Sequence, residues 1–197
     1  MKSIVQARTA ATSRLRWLML SQSMMTFGAG IVFPFYIIFV KEIGGDFTEF
    51  GLAYGLFTLC AALLSIWFGK SSDRYGKVRY LVLSAWGTSV LFLIFPLVTD
   101  IVQIYVLQVV MGIFGAMQRT CERALLADMT DSGRSGEQIG RYQAGVSLCA
   151  GLAVIAGGFL IDLFTLDLMF YFGSILSFVS GILVLRVKEQ RAEVDHT

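Results

Sequence analysis

The chain is poor in the residues that soluble chemistry uses. It has one histidine, His196, next to its end, so a histidine-based metal or catalytic site has no material. Its three cysteines, Cys60, Cys121 and Cys149, lie in or beside apolar runs and are odd in number, which argues against a disulfide framework. Charged residues make up only 15% of the 197 positions, against about a quarter in a soluble domain. Acidic residues avoid the middle of every long apolar run, which counts against a proton relay at mid-membrane, where a carboxylate is the usual group. Gly69-Lys70-Ser71 imitates the end of a phosphate-binding loop, but Leu64 stands where its first glycine belongs. No Gly-x-Gly-x-x-Gly, His-Glu-x-x-His or Gly-x-Ser-x-Gly pattern occurs. The first apolar run is too long, and lacks the small-residue cleavage site, for a signal peptide. Nothing in the sequence implies a cofactor, a metal or a nucleic-acid partner, and a membrane enzyme is disfavoured because nucleophile, base and ligand clusters are missing.

What is present is apolar and arranged in blocks. The chain is 56% hydrophobic and its mean hydropathy is +0.70. Six charge-free runs stand out: Trp17–Val40, Phe50–Phe68, Tyr80–Thr99, Ile101–Gln118, Tyr142–Ile161 and Leu168–Leu185. Each is close to the roughly 20 residues that cross a bilayer core. Asp100 alone separates the third from the fourth, and a straight helix through Pro96 and Asp100 would be too long, so a hairpin is expected there. The chain divides into a basic arm (1–16), a six-helix domain (17–185) and a charged tail (186–197). If the basic arm is cytoplasmic, fifteen of the sixteen Lys and Arg residues fall on the inner side and only Lys41 on the outer. The positive-inside rule then places both ends in the cytoplasm. The basic arm could lie partly on anionic lipid.

Within the spans, small and polar residues mark where helices meet. Gly28, Gly30 and Pro34 in the first allow close packing plus a kink, or a flexible gating helix. Asp46-Phe47-Thr48-Glu49 reads as a capping box at the start of the second. Gly51 and Gly55, then Ser84 and Thr88, are small residues at spacing four. The fifth span carries a longer stripe, Gly145, Cys149, Ala153 and Gly157, with Gly158 beside it, and the sixth repeats it with Gly173, Ser177 and Gly181. Trp86 is expected to pack. Arg119, Glu122 and Arg123 share one face of the fourth span. They suit a neutralised cluster at the inner interface, with Glu122 pairing to Arg119, or else an inner gate or anion contact. The polar stretch 128–141 should hold a cytoplasmic turn and a helix start.

The most specific pattern lies between the second and third spans. Gly69-Lys70-Ser71-Ser72-Asp73-Arg74-Tyr75-Gly76-Lys77-Val78-Arg79 is a charged, glycine-bounded stretch too short to be a domain, and is expected to be a tight turn. Asp73 is placed to cap the next helix, and Arg74, Lys77 and Arg79 to hold the turn on the cytoplasmic side. Its form, Gly-x-x-x-Asp-Arg-x-Gly-Lys-x-Arg, resembles the signature loop between the second and third helices of major facilitator superfamily transporters. The resemblance extends over Arg14 to Arg186. It implies an all-α, six-helix fold made of two inverted three-helix repeats, half of the family's usual twelve spans. It departs from antiporter-type patterns at Val154, where a proline is expected, and at Gln108, where an arginine often precedes the glycine at 112.

The resemblance implies transport of a small molecule across the plasma membrane, with a parallel homodimer or a second six-helix half completing the cavity. Gln22, Tyr36, Gln108, Met111 and Gln118 are the expected cavity-lining groups of the first and fourth helices. An apolar and aromatic lining points to an amphipathic or lipophilic cargo. A non-transporting binding or assembly module, and the first half of a split or truncated transporter, remain the alternatives.

Overall fold

In a computed structural model, residues 2–130 and 135–187 are described, with side chains from Ser13 onward. Residues 131–134, which include Asp131, Gly133 and Arg134, and the tail beyond Val187 with His196 lie outside the described residues, as do the side chains of Lys2 and Arg8. The first span is α1 (Lys2–Val32), a 3-10 turn (Phe33–Phe35) and α2 (Tyr36–Glu42). The others are α3 (Phe47–Tyr75), α4 (Lys77–Ile94) with its 3-10 turn at Phe95–Leu97, α5 (Ile101–Met129), α6 (Ser135–Leu163) and α7 (Leu166–Val184). All six are long and apolar enough to cross a membrane, and no strand occurs among the described residues. The chain is therefore a multi-pass membrane protein.

Local chemistry sets the breaks. Pro34 and Pro96 each sit in a short 3-10 turn, where the ring's fixed φ and missing N–H interrupt an α-helix. Asp46 accepts from the Thr48 and Glu49 backbone N–H groups at 2.6 and 3.2 Å, while the Asp46 N–H donates to Glu49 Oε2 at 2.9 Å. This is the expected capping box. Hydrogen bonding to the Glu49 side chain, then to the Glu49 and Thr48 backbone, holds the Asp46 carboxyl below the usual carboxylate range. Asp100 caps α5 by accepting from the Val102 N–H at 2.7 Å, so the third and fourth spans do form a hairpin.

Two expectations about helix ends need correction. The stretch 69–79 is not an eleven-residue loop. α3 continues through Tyr75, and Gly76 alone, at φ 103°, reverses the chain before α4 begins at Lys77. Serine, lysine, aspartate and arginine are all tolerated in a helix once it leaves the apolar layer, so charge alone did not end α3. The arm is not a separate segment either, because α1 is continuous from Lys2 into the first span. α5 extends to Met129 and α6 begins at Ser135, so the 128–141 stretch does hold the expected helix start.

The helices pack side by side in the order α3–α5–α4–α7–α1–α6. Exchanging the first three spans with the last three reproduces that order in reverse. Because three is odd, the exchange also reverses chain direction, which makes the two halves inverted repeats. The core is layered along the membrane normal. At the end away from the termini, the Phe95 and Phe170 rings stack at 5.1 Å, Phe39 meets Phe170 edge-on at 5.1 Å, and Tyr36 meets Phe95 edge-on at 5.8 Å. At the end that carries the termini, Leu18, Leu81, Cys121, Leu125, Tyr142 and Val184 pack together.

Buried polar groups bridge the helices between these cores. Ser21 and Ser180 donate to each other's backbone carbonyls at 3.1 and 2.9 Å, clasping α1 to α7. Ser89 donates to the Ser174 carbonyl at 2.9 Å, clasping α4 to α7. Each such bond contributes on the order of 0.6 kcal/mol in a membrane protein.

Packing without a hydrophobic driving force depends on close approach, and glycine supplies it at particular contacts. A Cβ on Gly112 would lie 2.7 Å from the Phe57 carbonyl oxygen, where α5 crosses α3. The fifth-span stripe meets α1: Gly145 faces Met19, a Cβ on Gly30 would lie 2.8 Å from the Ala153 Cβ, and Gly157 faces Ile31 and Phe35. Gly158 only grazes Phe35, while Cys149 is half-buried. In α7, Gly173 meets Gly28 and Gly181 meets Trp86, which also stacks on Phe178 at 6.0 Å. Gly51 and Gly55 differ from expectation, for nothing lies within 4 Å of a Cβ at either. No described helix packs closely against either.

Candidate functional site: a groove along the second and fourth spans

Two grooves meet at Arg119. One, of ≈ 520 Å³, is lined by Phe33, Pro34, Tyr36, Phe50, Tyr54, Phe57 and Arg119. The other, of ≈ 430 Å³, runs towards the termini between α3 and α5 and is lined by Thr58, Ser65, Thr120, Arg119 and Arg123 among others. The spacing of Phe50, Tyr54 and Phe57 in α3 puts their rings on one face, and consecutive centroids lie 6.3 and 5.9 Å apart. The Arg119 guanidinium carbon sits 5.3 Å from the Phe57 ring centroid, a cation over an aromatic face. Gly115 lets this happen: a Cβ there would come within 3.1 Å of the Phe57 ring.

Of the five expected lining residues, only Tyr36 borders a groove. Gln22, Gln108, Met111 and Gln118 are buried between helices. The Gln118 amide and the Gln22 amide oxygen find partners there, whereas neither amide atom of Gln108 has a hydrogen-bond partner among the described residues. Gln118 donates to Gln22 at 2.6 Å and accepts from the Ser84 hydroxyl, tying α5, α1 and α4 together. The lining groups overlooked in the sequence are the α3 aromatics. Their i, i+4, i+7 spacing was visible, yet it reads equally as a core face.

The charged cluster also differs from expectation. Glu122 does not pair with Arg119 but accepts a hydrogen bond from the Tyr142 hydroxyl at 2.6 Å. A half-buried carboxylate is better served by a buried phenol on α6 than by a long side chain directed at the groove. Arg119 and Arg123 are both exposed.

The signature stretch lies at the end carrying the termini. Lys77 Nζ is 2.6 Å from Asp128 Oδ2 and 3.4 Å from Asp73 Oδ1. One ammonium thus ties the end of α3, the start of α4 and the end of α5. Asp73 serves this pair and does not cap α4, whose N-cap position is Gly76, with no side-chain cap. Gly69 lies inside α3, and the Arg74 guanidinium carbon is 5.5 Å from the Tyr75 ring. Arg79 is exposed in the first turn of α4. Asp128 was not among the expected members of this group. It lies beyond the fourth span at the same end as Lys77, but positive-inside counting gives acids little weight.

The family model described as Major Facilitator Superfamily matches residues 18–196. The chain belongs to the major facilitator superfamily. A relative from Bacillus subtilis (strain 168), described as the uncharacterized MFS-type transporter YitZ, is 44% identical over 162 residues, covering 82% of this chain and 99% of the relative. An MFS-type transporter of Methanocaldococcus jannaschii is 27% identical over 156 residues, which are 79% of this chain and 40% of that one. The multidrug resistance protein MdtG of Proteus mirabilis is 27% identical over 163 residues, 80% of this chain and 40% of that protein. The chain thus spans two fifths of the length of the last two relatives, and its six spans are consistent with half of a superfamily fold.

Proposed function

We propose that the chain carries a small amphipathic or lipophilic molecule across the plasma membrane by alternating access, as a homodimer of six-helix halves with both termini cytoplasmic. The observation that carries this reading is the uncovered face of the second and fourth spans, where an aromatic groove and Arg119 open sideways. A second copy facing it would close the groove into a cavity. The open surroundings of Gly51 and Gly55 fit the same picture, since close helix contact is what such residues permit. Rocking of two rigid halves about that cavity is the motion such repeats support. Family membership supports transport, and the MdtG relatives are named multidrug resistance proteins.

The test is flux in proteoliposomes holding verified dimers, over a panel of amphipathic and lipophilic compounds, with Asp73→Asn as the gating control. Substrate-dependent flux supports the reading, and its absence across the panel contradicts it. A second reading replaces the second copy with a different six-span chain. It is favoured by the relatives of which this chain matches only 40%. Co-purification of such a chain would select it.

A further inference from the structure

We infer that the Arg119 groove is an anion site that takes the acidic head of an amphiphilic organic anion, with the aromatic or alkyl body lodged among the α3 rings. Arg119 is ten residues short of the end of α5, about 15 Å along the helix. It is the first charged residue after the apolar run Ile101–Gln118, at the inner boundary of that span, and guanidinium does not shed its charge there. No described residue neutralises it. Glu122, one turn on, is held by Tyr142, and Asp128 is held by Lys77. Glu137 pairs with Arg141 at 2.7 Å. Arg123, beside the Glu122 carboxyl with which its charge interacts, brings a second positive charge into the same strip, one turn beyond Arg119.

Like charges four residues apart repel, and an anion between them relieves that repulsion. The nearby hydroxyls do not supply it. Thr58 donates to the Tyr54 carbonyl at 3.0 Å and Ser65 to the Ala61 carbonyl at 2.6 Å. A guanidinium over the Phe57 ring still offers in-plane N–H donors, the geometry that receives a carboxylate, sulfonate or phosphate as a fork. Phe33, Phe50, Tyr54 and Phe57 continue the same groove as an apolar bed. A positive head group would meet two arginines there and no described free carboxylate.

This inference deepens the transport reading, and rests on it only for the claim that the bound anion is cargo. The test measures binding of naphthalene-2-sulfonate and of its trimethylammonium counterpart to the protein in phosphatidylcholine nanodiscs, with empty discs subtracted. The sulfonate should bind saturably and the ammonium compound should neither bind nor compete. Arg119→Gln should weaken sulfonate binding about tenfold or more, and Arg119→Lys less, because it keeps the charge and loses the fork. Equal binding of the two probes, which needs no variant to fold, would overturn the inference. So would unchanged sulfonate affinity in an Arg119→Gln protein of normal helicity.

Adding phosphatidylglycerol to the discs separates the two sources of such a head. Competition would make an anionic lipid the occupant, and its absence would make a soluble anion the occupant. Arg119-dependent sulfonate binding without flux would keep the site and remove the transport reading. Flux without such binding would do the reverse.

Discussion

The Tyr142 hydroxyl holds the Glu122 carboxylate at 2.6 Å, and that bond turns the acid away from Arg119, one helical turn earlier on α5. It joins the fourth span to the fifth near the end that carries the termini, and it leaves the groove arginine without a protein counter-ion among the described residues. Removing the phenol hydroxyl should therefore have two consequences. Tyr142→Phe leaves a half-buried carboxylate without its donor, and should lower stability by about 1–3 kcal/mol. The freed Glu122 also gains access to Arg119. Thermal unfolding should rank the wild type above the Tyr142→Phe/Glu122→Gln double variant, and that above Tyr142→Phe alone. Equal stability of the single and double variants would contradict this.

The two glycines of the signature stretch should respond in opposite ways. Gly76 has φ 103° and ψ 128°, a conformation that side-chain-bearing residues rarely adopt, and it alone separates α3 from α4. Gly76→Ala should cost about 1–3 kcal/mol. Gly69 is helical, and a Cβ there would meet only Thr120 Cγ2 at 3.6 Å. Gly69→Ala should be neutral or stabilising, by up to about 1 kcal/mol. Melting temperatures of the two variants in one detergent decide the matter.

Lys77 should depend more on Asp128 than on Asp73, since its ammonium lies 2.6 Å from one and 3.4 Å from the other. Both carboxylates are more than half exposed, so each coupling should stay within about 1 kcal/mol and shrink as salt is added. Double-mutant cycles of Lys77→Met with Asp128→Asn and with Asp73→Asn give the two couplings directly. A larger value for Asp73 would contradict the geometry.

The six spans were legible in the sequence because crossing a bilayer demands long apolar runs, and the reversal was legible because Gly76 stands among charges. Where α3 ends was not, since Gly69 is no stop signal in a helix that already has packing partners. Helix faces were the harder problem. Gln118 finds Ser84 34 positions away and Gln22 96 positions away, and neither pairing leaves a trace in local spacing. Those amides could equally have faced a cavity. The fifth-span stripe and the Gly51/Gly55 pair obey the same small-residue rule, yet one meets α1 and the other meets nothing in the six-helix unit. Which of them finds a partner depends on the whole arc of helices, including any half that closes it.

The central claim is that two six-helix halves face each other across the groove. Its most direct test is native mass spectrometry of the protein released from lipid nanodiscs, counting protein copies per particle. The account predicts two copies of this chain. A particle holding one copy and no other protein would contradict it.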